Sequence, residues 1–366
     1  MIAPHLPLKD RVDQVLTAFV TAEAQALADI DVALEPVCDQ LHVATRHGKR
    51  LRAAFCYWGW RGTGQPDSDA LVRAAAAIEL VHAAAVVHDD LIDHSSTRHG
   101  SPTVHTALRR SDGHGQGSES GRTAGAGGPE GARDGAGAQG RALAMLVGDL
   151  IMAMAGQLFT DSGLPGAFLN RARPLWTVLA RELVAGECLE IMRTGCAPDP
   201  EASVKVIRYK TAKYTVEHPL QIGGLLAGAP PRLLQAYSDY GLPLGEAFQL
   251  RDDLLGLFGD PAETGKDPAD DVTGNRPTVL MAHALAAATP AERGELQALL
   301  GRECLTTEEV QQVRDIVRGT GAVTRVEHMI TARQREAHDA LAAADLTGDA
   351  RRALGALAAE ATTRTH

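Results

Sequence analysis

Aromatic residues are scarce in this chain: Phe, Trp and Tyr together make up 4% of its 366 residues. β-Branched runs with period-two alternation are scarce as well, so a sheet has little to build on. The five cysteines (Cys38, Cys56, Cys188, Cys196, Cys304) form no C-x-x-C pair and no even framework, and a reduced, cytoplasmic setting is the simplest reading. There is no basic surplus: the net charge is −10, which argues against a nucleic-acid partner. Met1 to Asp10 shows no charged-then-apolar leader pattern. No uncharged apolar run reaches the roughly 18–20 residues that span a bilayer, so no membrane span is expected. What the chain does have is Ala and Leu, with 45% hydrophobic residues, enough for a large helical core. The expected fold class is all-α.

The helices can be placed from their signals. Asp69 caps a long helix to about Asp93, and Leu143–Leu158 carries almost no charge on any face, which predicts a fully buried helix. Val178–Arg193, Lys205–Tyr214, Glu217–Leu226 and Leu233–Leu257 follow. Thr289-Pro290 with Glu292 opens a helix that Gly301 closes, and Thr306 with Glu309 forms a capping box for one that Gly319 ends. Between them, residues 111–140 hold eleven glycines among thirty residues, without apolar periodicity. That composition predicts a disordered loop inserted into a single domain spanning 1–366.

Two acidic clusters stand on helices. In Asp89-Asp90-Leu91-Ile92-Asp93, a rise of 3.6 residues per turn puts Asp89 and Asp93 on one face. Like charges so placed repel, and Asp is a poor helix former, so a costly acidic face at the end of an apolar run asks for a cation. Carboxylates with open water positions suit Mg²⁺. Taken alone, the pattern fits a solvated helix end equally well. Asp252-Asp253 repeats the theme within Phe248-Gln249-Leu250-Arg251-Asp252-Asp253. Two such helices facing each other would line one cavity and share Mg²⁺ with a diphosphate.

Diphosphates also need cations from the protein, and four groups interleave with the acidic clusters: Gly48-Lys49-Arg50-Leu51-Arg52, Arg98-His99-Gly100, Lys210-Thr211 and Thr264-Gly265-Lys266. Each alone is an ordinary set of surface charges. His82 lies two turns before Asp89, on the same face. His88 and His94 flank the first cluster as packing candidates.

In their order and spacing these motifs resemble the trans-isoprenyl diphosphate synthases, the polyprenyl synthetase family, from about Gly48 to Thr278. The resemblance implies antiparallel helices around a deep central cavity, the isoprenoid synthase fold, as a homodimer. It implies a Mg²⁺-dependent condensation of an allylic diphosphate with isopentenyl diphosphate. Asp89, Asp93 and Asp252 would bind Mg²⁺, with Asp90 and Asp253 supporting. Gly48, Lys49, Arg52, His82 and His99 would hold isopentenyl diphosphate. Arg98, Lys210 and Lys266 would contact the allylic diphosphate, and Thr211 and Gln249 would face the developing cation or the diphosphate.

The chain departs from the pattern in three places. His99 stands where the family has a second Arg, a weaker phosphate ligand. Gly256 stands where the second cluster ends in Asp. Gly186-Glu187-Cys188-Leu189-Glu190 replaces G-Q-x-x-D, while Arg276 keeps the positive charge of a Lys position. Ala84 and Ala85, just before the first cluster, are small and favour a geranylgeranyl (C20) product over farnesyl, with longer polyprenyl chains second. A class I terpene cyclase would not need Lys49, Arg52 and Lys210. A weakly active partner subunit is the other alternative, motivated by His99 and Gly256.

Overall fold

The computed structural model describes residues 6–98, 100–111, 130–260 and 270–362, with side chains left out at 110–111 and 130–136. The chain divides into two compact units: Met1–Ala53 with Asp69–Gly163, and Ala54–Ser68 with Leu164–His366. Helices dominate both, as the composition requires.

The first unit holds α1 (Leu8–Ala28), α2 (Glu35–Arg46), the first residues of α3 (Leu51–Arg61), α4 (Asp69–Ile92), α5 (Val104–Ser111) and α6 (Glu130–Thr160). Helix α4 is its spine and packs on α6, α1 and α2. Asp69 in its first turn pairs with Arg11 of α1 at 3.2 Å. Its interior is buried on nearly every side, from Leu71 through Ala74–Ile78 to Val87. An all-round apolar helix belongs inside a core. The chain reverses after α4 at His94, whose φ of 57° is left-handed. A short antiparallel ladder follows, β1 (Thr97–Arg98) against β2 (Ser101–Pro102), which the all-α reading did not foresee.

Two sequence expectations change here. Helix α6 begins at Glu130, so residues 130–140 of the Gly-rich segment are helical rather than disordered. A Cβ at Gly140 would come within 2.6 Å of the His105 carbonyl oxygen, so the glycine lets α6 lie close on α5. Residues 112–129 of that segment lie outside the described residues. Second, α6 is not buried all round: Met145 is 48% and Leu146 56% exposed. Both α4 and α6 are long and apolar enough to cross a membrane by length and composition. The apolar stretch of α4 is 72% buried, which accounts for it as core.

The second unit holds the rest of α3, then α7 (Gly166–Arg193), α8 (Pro200–Ile207), a π-helical stretch (Arg208–Glu217), α9 (His218–Ala227) and α10 (Pro231–Phe258). Then come α11 (Asp270–Thr273), α12 (Val279–Ala287), α13 (Pro290–Leu299), α14 (Thr307–Gly319), α15 (Ala322–Ala343) and α16 (Gly348–Thr362). Helix α10 is central and packs on the π-helical stretch, α9, α15 and α16. Its Leu250, Leu254 and Leu257 meet Val279, Leu280, Val313, Val326 and Ile330 in one core. Asp199 caps α8 by accepting from Ala202 N at 3.1 Å. The Thr289/Glu292 and Thr306/Glu309 capping boxes both form, each satisfying two orphan donors.

Candidate active site

In the first unit, the turn from α2 to α3 carries the basic motif. Gly48 takes φ 143°, which residues with a Cβ disfavour, and Arg50 takes φ 56°. Arg50 is buried; its Nε donates to Asp13 at 2.7 Å and its Nη2 to the Thr45 carbonyl at 2.7 Å. The middle arginine of G-K-R-L-R is therefore a brace. Glu79 accepts the Ala53 backbone N–H at 2.8 Å and anchors the start of α3. Lys49 is exposed on the turn and Arg52 is half-buried in the first turn of α3.

Beside this turn lies a cavity of about 200 Å³ that Gly48, His82, Asp90 and Arg98 line together. Burial, with the charges of Arg52, Arg98 and Arg50, holds the His82 imidazole well below its usual pKa. It is neutral at pH 7 and can donate one N–H. Arg98, expected with the allylic set, lines this cavity. Its Nε and Nη2 reach Asp90 at 2.8 and 2.7 Å, and its Nη2 lies 3.7 Å from Asp89. Asp90 is buried, and burial raises its pKa although Arg98 opposes the rise. Asp90 thus positions Arg98, while the half-buried Asp89 and Asp93 remain one turn apart, linked by the Asp93 N–H to Asp89 carbonyl bond of 2.9 Å. His88 packs onto Gly148 of α6 and lies 3.2 Å from the Met145 carbonyl, which ties α6 to the residue before Asp89. His99 lies outside the described residues.

In the second unit, the π-helical stretch presents Lys210 and Thr211. Such widened turns recur at functional sites. A Cβ at Gly186 of α7 would strike the Lys210 backbone, so glycine is needed where the two segments touch. The Lys210 ammonium lies between two α7 carboxylates, Glu187 at 3.0 Å and Glu190, which bonds it closely. Thr211 Oγ1 donates to Gln249 Oε1 at 2.8 Å, and Gln249 Nε2 donates to Asp253 Oδ1 at 2.9 Å. That relay fixes which way the Gln249 amide points. Lys266 and the Thr264-Gly265 before it lie outside the described residues.

Asp253 is buried, its Oδ2 accepts no hydrogen bond from the described residues, and its pKa is pushed up to about 8. Burial is the main cause, followed by the charges of Asp271, Asp252 and Glu190 against the bond from Gln249. A field that keeps one carboxyl protonated near neutrality is one a divalent cation would fit. Asp252, half-buried beside it, is the ligand candidate, and Asp253 supports Gln249. At Gly256 a Cβ would come within 2.5 Å of Asp271 Oδ2, so Asp271 takes up the space where the family pattern has another Asp.

The sequence reading gave Asp271, Glu187 and Glu190 no role. The i, i+3 spacing of the two glutamates on one helix was the available signal for them. The structure groups Gly48, His82, Asp90 and Arg98 in one unit, and Lys210, Thr211, Gln249 and Asp253 in the other.

A family model described as polyprenyl synthetase matches residues 35–317. The crystal structure of geranylgeranyl pyrophosphate synthase from Corynebacterium glutamicum, complexed with isoprenyl diphosphate and magnesium, is 32% identical. It has a TM-score of 0.88 and covers 98% of this chain and 100% of that one. Octaprenyl diphosphate synthase of Escherichia coli is 30% identical over 69% of this chain, and the match spans 66% of that protein. Geranylgeranyl diphosphate synthase of Saccharolobus solfataricus is 27% identical over 76% of this chain and 74% of that protein.

Proposed function

Because the chain belongs to the polyprenyl synthetase family, a family of transferases, we propose that it condenses an allylic diphosphate with isopentenyl diphosphate to a longer trans-prenyl diphosphate. The observation that carries this reading is the cavity of the first unit, where His82, Arg98, Gly48 and Asp90 meet, with Asp89 3.7 Å from Arg98. The solved relative bound to isoprenyl diphosphate and magnesium supports the substrate class and the metal.

Asp89 and Asp93 are the carboxylates of the first unit that would hold Mg²⁺, and Asp252 is the candidate ligand of the second; the metal would neutralise charge on the departing diphosphate. Lys210, oriented by Glu187 and Glu190, supplies an ammonium to the allylic diphosphate. The allylic C–O bond breaks with its electron pair leaving on the diphosphate. The double bond of isopentenyl diphosphate attacks the allylic carbon, and a proton leaves to the released diphosphate. Thr211 and Gln249, locked by their mutual bond, present fixed dipoles to the developing positive charge. On the isopentenyl side, neutral His82 donates a hydrogen bond and Lys49 and Arg52 add charge.

The proposed product is geranylgeranyl diphosphate. Ala84 is fully buried, whereas Ala85 is half-buried and has room on its outer side. Sizing the products made from labelled isopentenyl diphosphate and farnesyl diphosphate tests this. C20 is expected, and chains of C40 or more would contradict it. With geranyl diphosphate as the primer, Ala85→Phe should shift the main product to C15. Ala84→Phe should instead lower stability by about 1–3 kcal/mol through overpacking. An unchanged product from Ala85→Phe would remove this face of α4 from length control.

A homodimer is also part of the proposal. Each unit exposes apolar residues on a long helix: Met145 and Leu146 on α6, and Val184, Ile191 and Met192 on α7. Sedimentation should give twice the chain mass, and Leu146→Glu should halve it. A monomeric wild type would refute the point. The cytoplasmic setting is supported by five cysteines that are all free thiols.

A further inference from the structure

We infer that Arg46, oriented by His47, is an additional diphosphate-gripping residue of the His82 cavity, taking the diphosphate of isopentenyl diphosphate. The inference rests on the reading of that cavity given above.

It follows from how the cavity's charges are already committed. Among the described residues, three guanidiniums line it: Arg46, Arg50 and Arg98. Arg50 is bound to Asp13 and the Thr45 carbonyl, and Arg98 to Asp90. Both are neutralised by carboxylates before any ligand arrives. Glu79 adds negative charge to the lining, and His82 is neutral. A dianionic or trianionic group would gain little from such a wall.

Arg46 differs from the other two. It is the last residue of α2, exposed at the cavity, and its Nε donates to His47 Nε2 at 3.2 Å. Among the described residues, no carboxylate pairs with it. The bond to His47 uses the inner nitrogen. The two terminal amino groups are those a phosphate takes in a bidentate grip. The rest of the lining suits the other end of the ligand, since Val43, Val86, Val87 and Val104 offer an apolar wall to a five-carbon tail.

The chain also carries His99 where the family resemblance expects a second arginine. Arg46 returns one guanidinium to this diphosphate from a different element. The basic motif as read from the sequence begins at Gly48, and so stops two residues short of it.

A basic residue in the last turn also favours the helix macrodipole. The test must separate that role from ligand binding. Steady-state rates of the full-length enzyme are measured with each substrate varied in turn, for the wild type, Arg46→Gln, Arg46→Lys and His82→Ala. Thermal midpoints and the affinity for isopentenyl diphosphate alone, by titration calorimetry, are measured on the same proteins. Arg46→Gln should raise KM for isopentenyl diphosphate about ten-fold. The effect should fall on that KM rather than on kcat or on the allylic KM, and the calorimetric affinity should drop in step. Arg46→Lys should recover part of the loss, because a point charge replaces the fork.

If Arg46→Gln leaves this KM unchanged while His82→Ala raises it, Arg46 is a helix-end charge and the inference is overturned. A lower thermal midpoint with unchanged KM overturns it equally, as does an equal rise in both KM values. If His82→Ala also leaves KM unchanged, the reading of the cavity itself falls, and the inference with it.

Discussion

Asp89→Ala should lower kcat by roughly 10³-fold or more, while the protein stays folded. The size follows from what the carboxylate does. Metal-assisted departure of a diphosphate is worth several kcal/mol of transition-state stabilisation, and each 1.36 kcal/mol is a factor of ten. Asp89 is half-buried and lies 3.7 Å from Arg98, whose closer partner is Asp90 at 2.7 Å. Circular dichroism and the thermal midpoint in the absence of Mg²⁺ should therefore match the wild type. Asp90→Ala should behave differently: it removes the buried partner of Arg98 and should lower stability as well as rate. Retained turnover in Asp89→Ala would refute the metal-site assignment.

Lys210→Ala should lower kcat/KM for the allylic diphosphate by about 10²–10³-fold, the range typical of removing one preorganised charge or donor from a transition state. Lys210 also separates Glu187 from Glu190. Its removal leaves two like charges beside the place where an anion must bind, which adds repulsion to the lost attraction. Glu187→Gln in the Lys210→Ala background should recover part of the loss by removing one of those charges. A merely structural lysine would show no such recovery. Initial rates with each substrate varied separate the cases, since the loss should fall on the allylic substrate. An equal loss on isopentenyl diphosphate would contradict the assignment.

The helices were legible because their signals are local. The Ala-rich run after Asp69 and the two Thr-x-x-Glu boxes each specify an element without reference to the rest of the chain. Residues 130–140 were misread because glycine's helix penalty outweighed everything else visible locally. The close contact with α5 that Gly140 permits is tertiary. The exposed Met145 and Leu146 were misread for a related reason: apolarity alone does not distinguish a buried helix face from an exposed one. The acidic clusters and their attendant cations were legible as a set, because order and spacing survive without coordinates. Hydrogen-bond partners were not. Nothing in G-K-R-L-R says that Arg50 is a brace on Asp13, or that Arg98 is committed to Asp90. The role of Asp271 beside Gly256 likewise appears only when α10 and the segment after residue 269 are brought together.

The central claim is a condensation that needs two diphosphates and Mg²⁺ together. The most direct measurement follows diphosphate release by the purified protein with farnesyl diphosphate and isopentenyl diphosphate, singly and combined, with and without Mg²⁺. Release should require both substrates and the metal, and should match the incorporation of labelled isopentenyl diphosphate one for one. Rapid release from farnesyl diphosphate alone, or no release from any allylic primer at saturating Mg²⁺, would contradict the account.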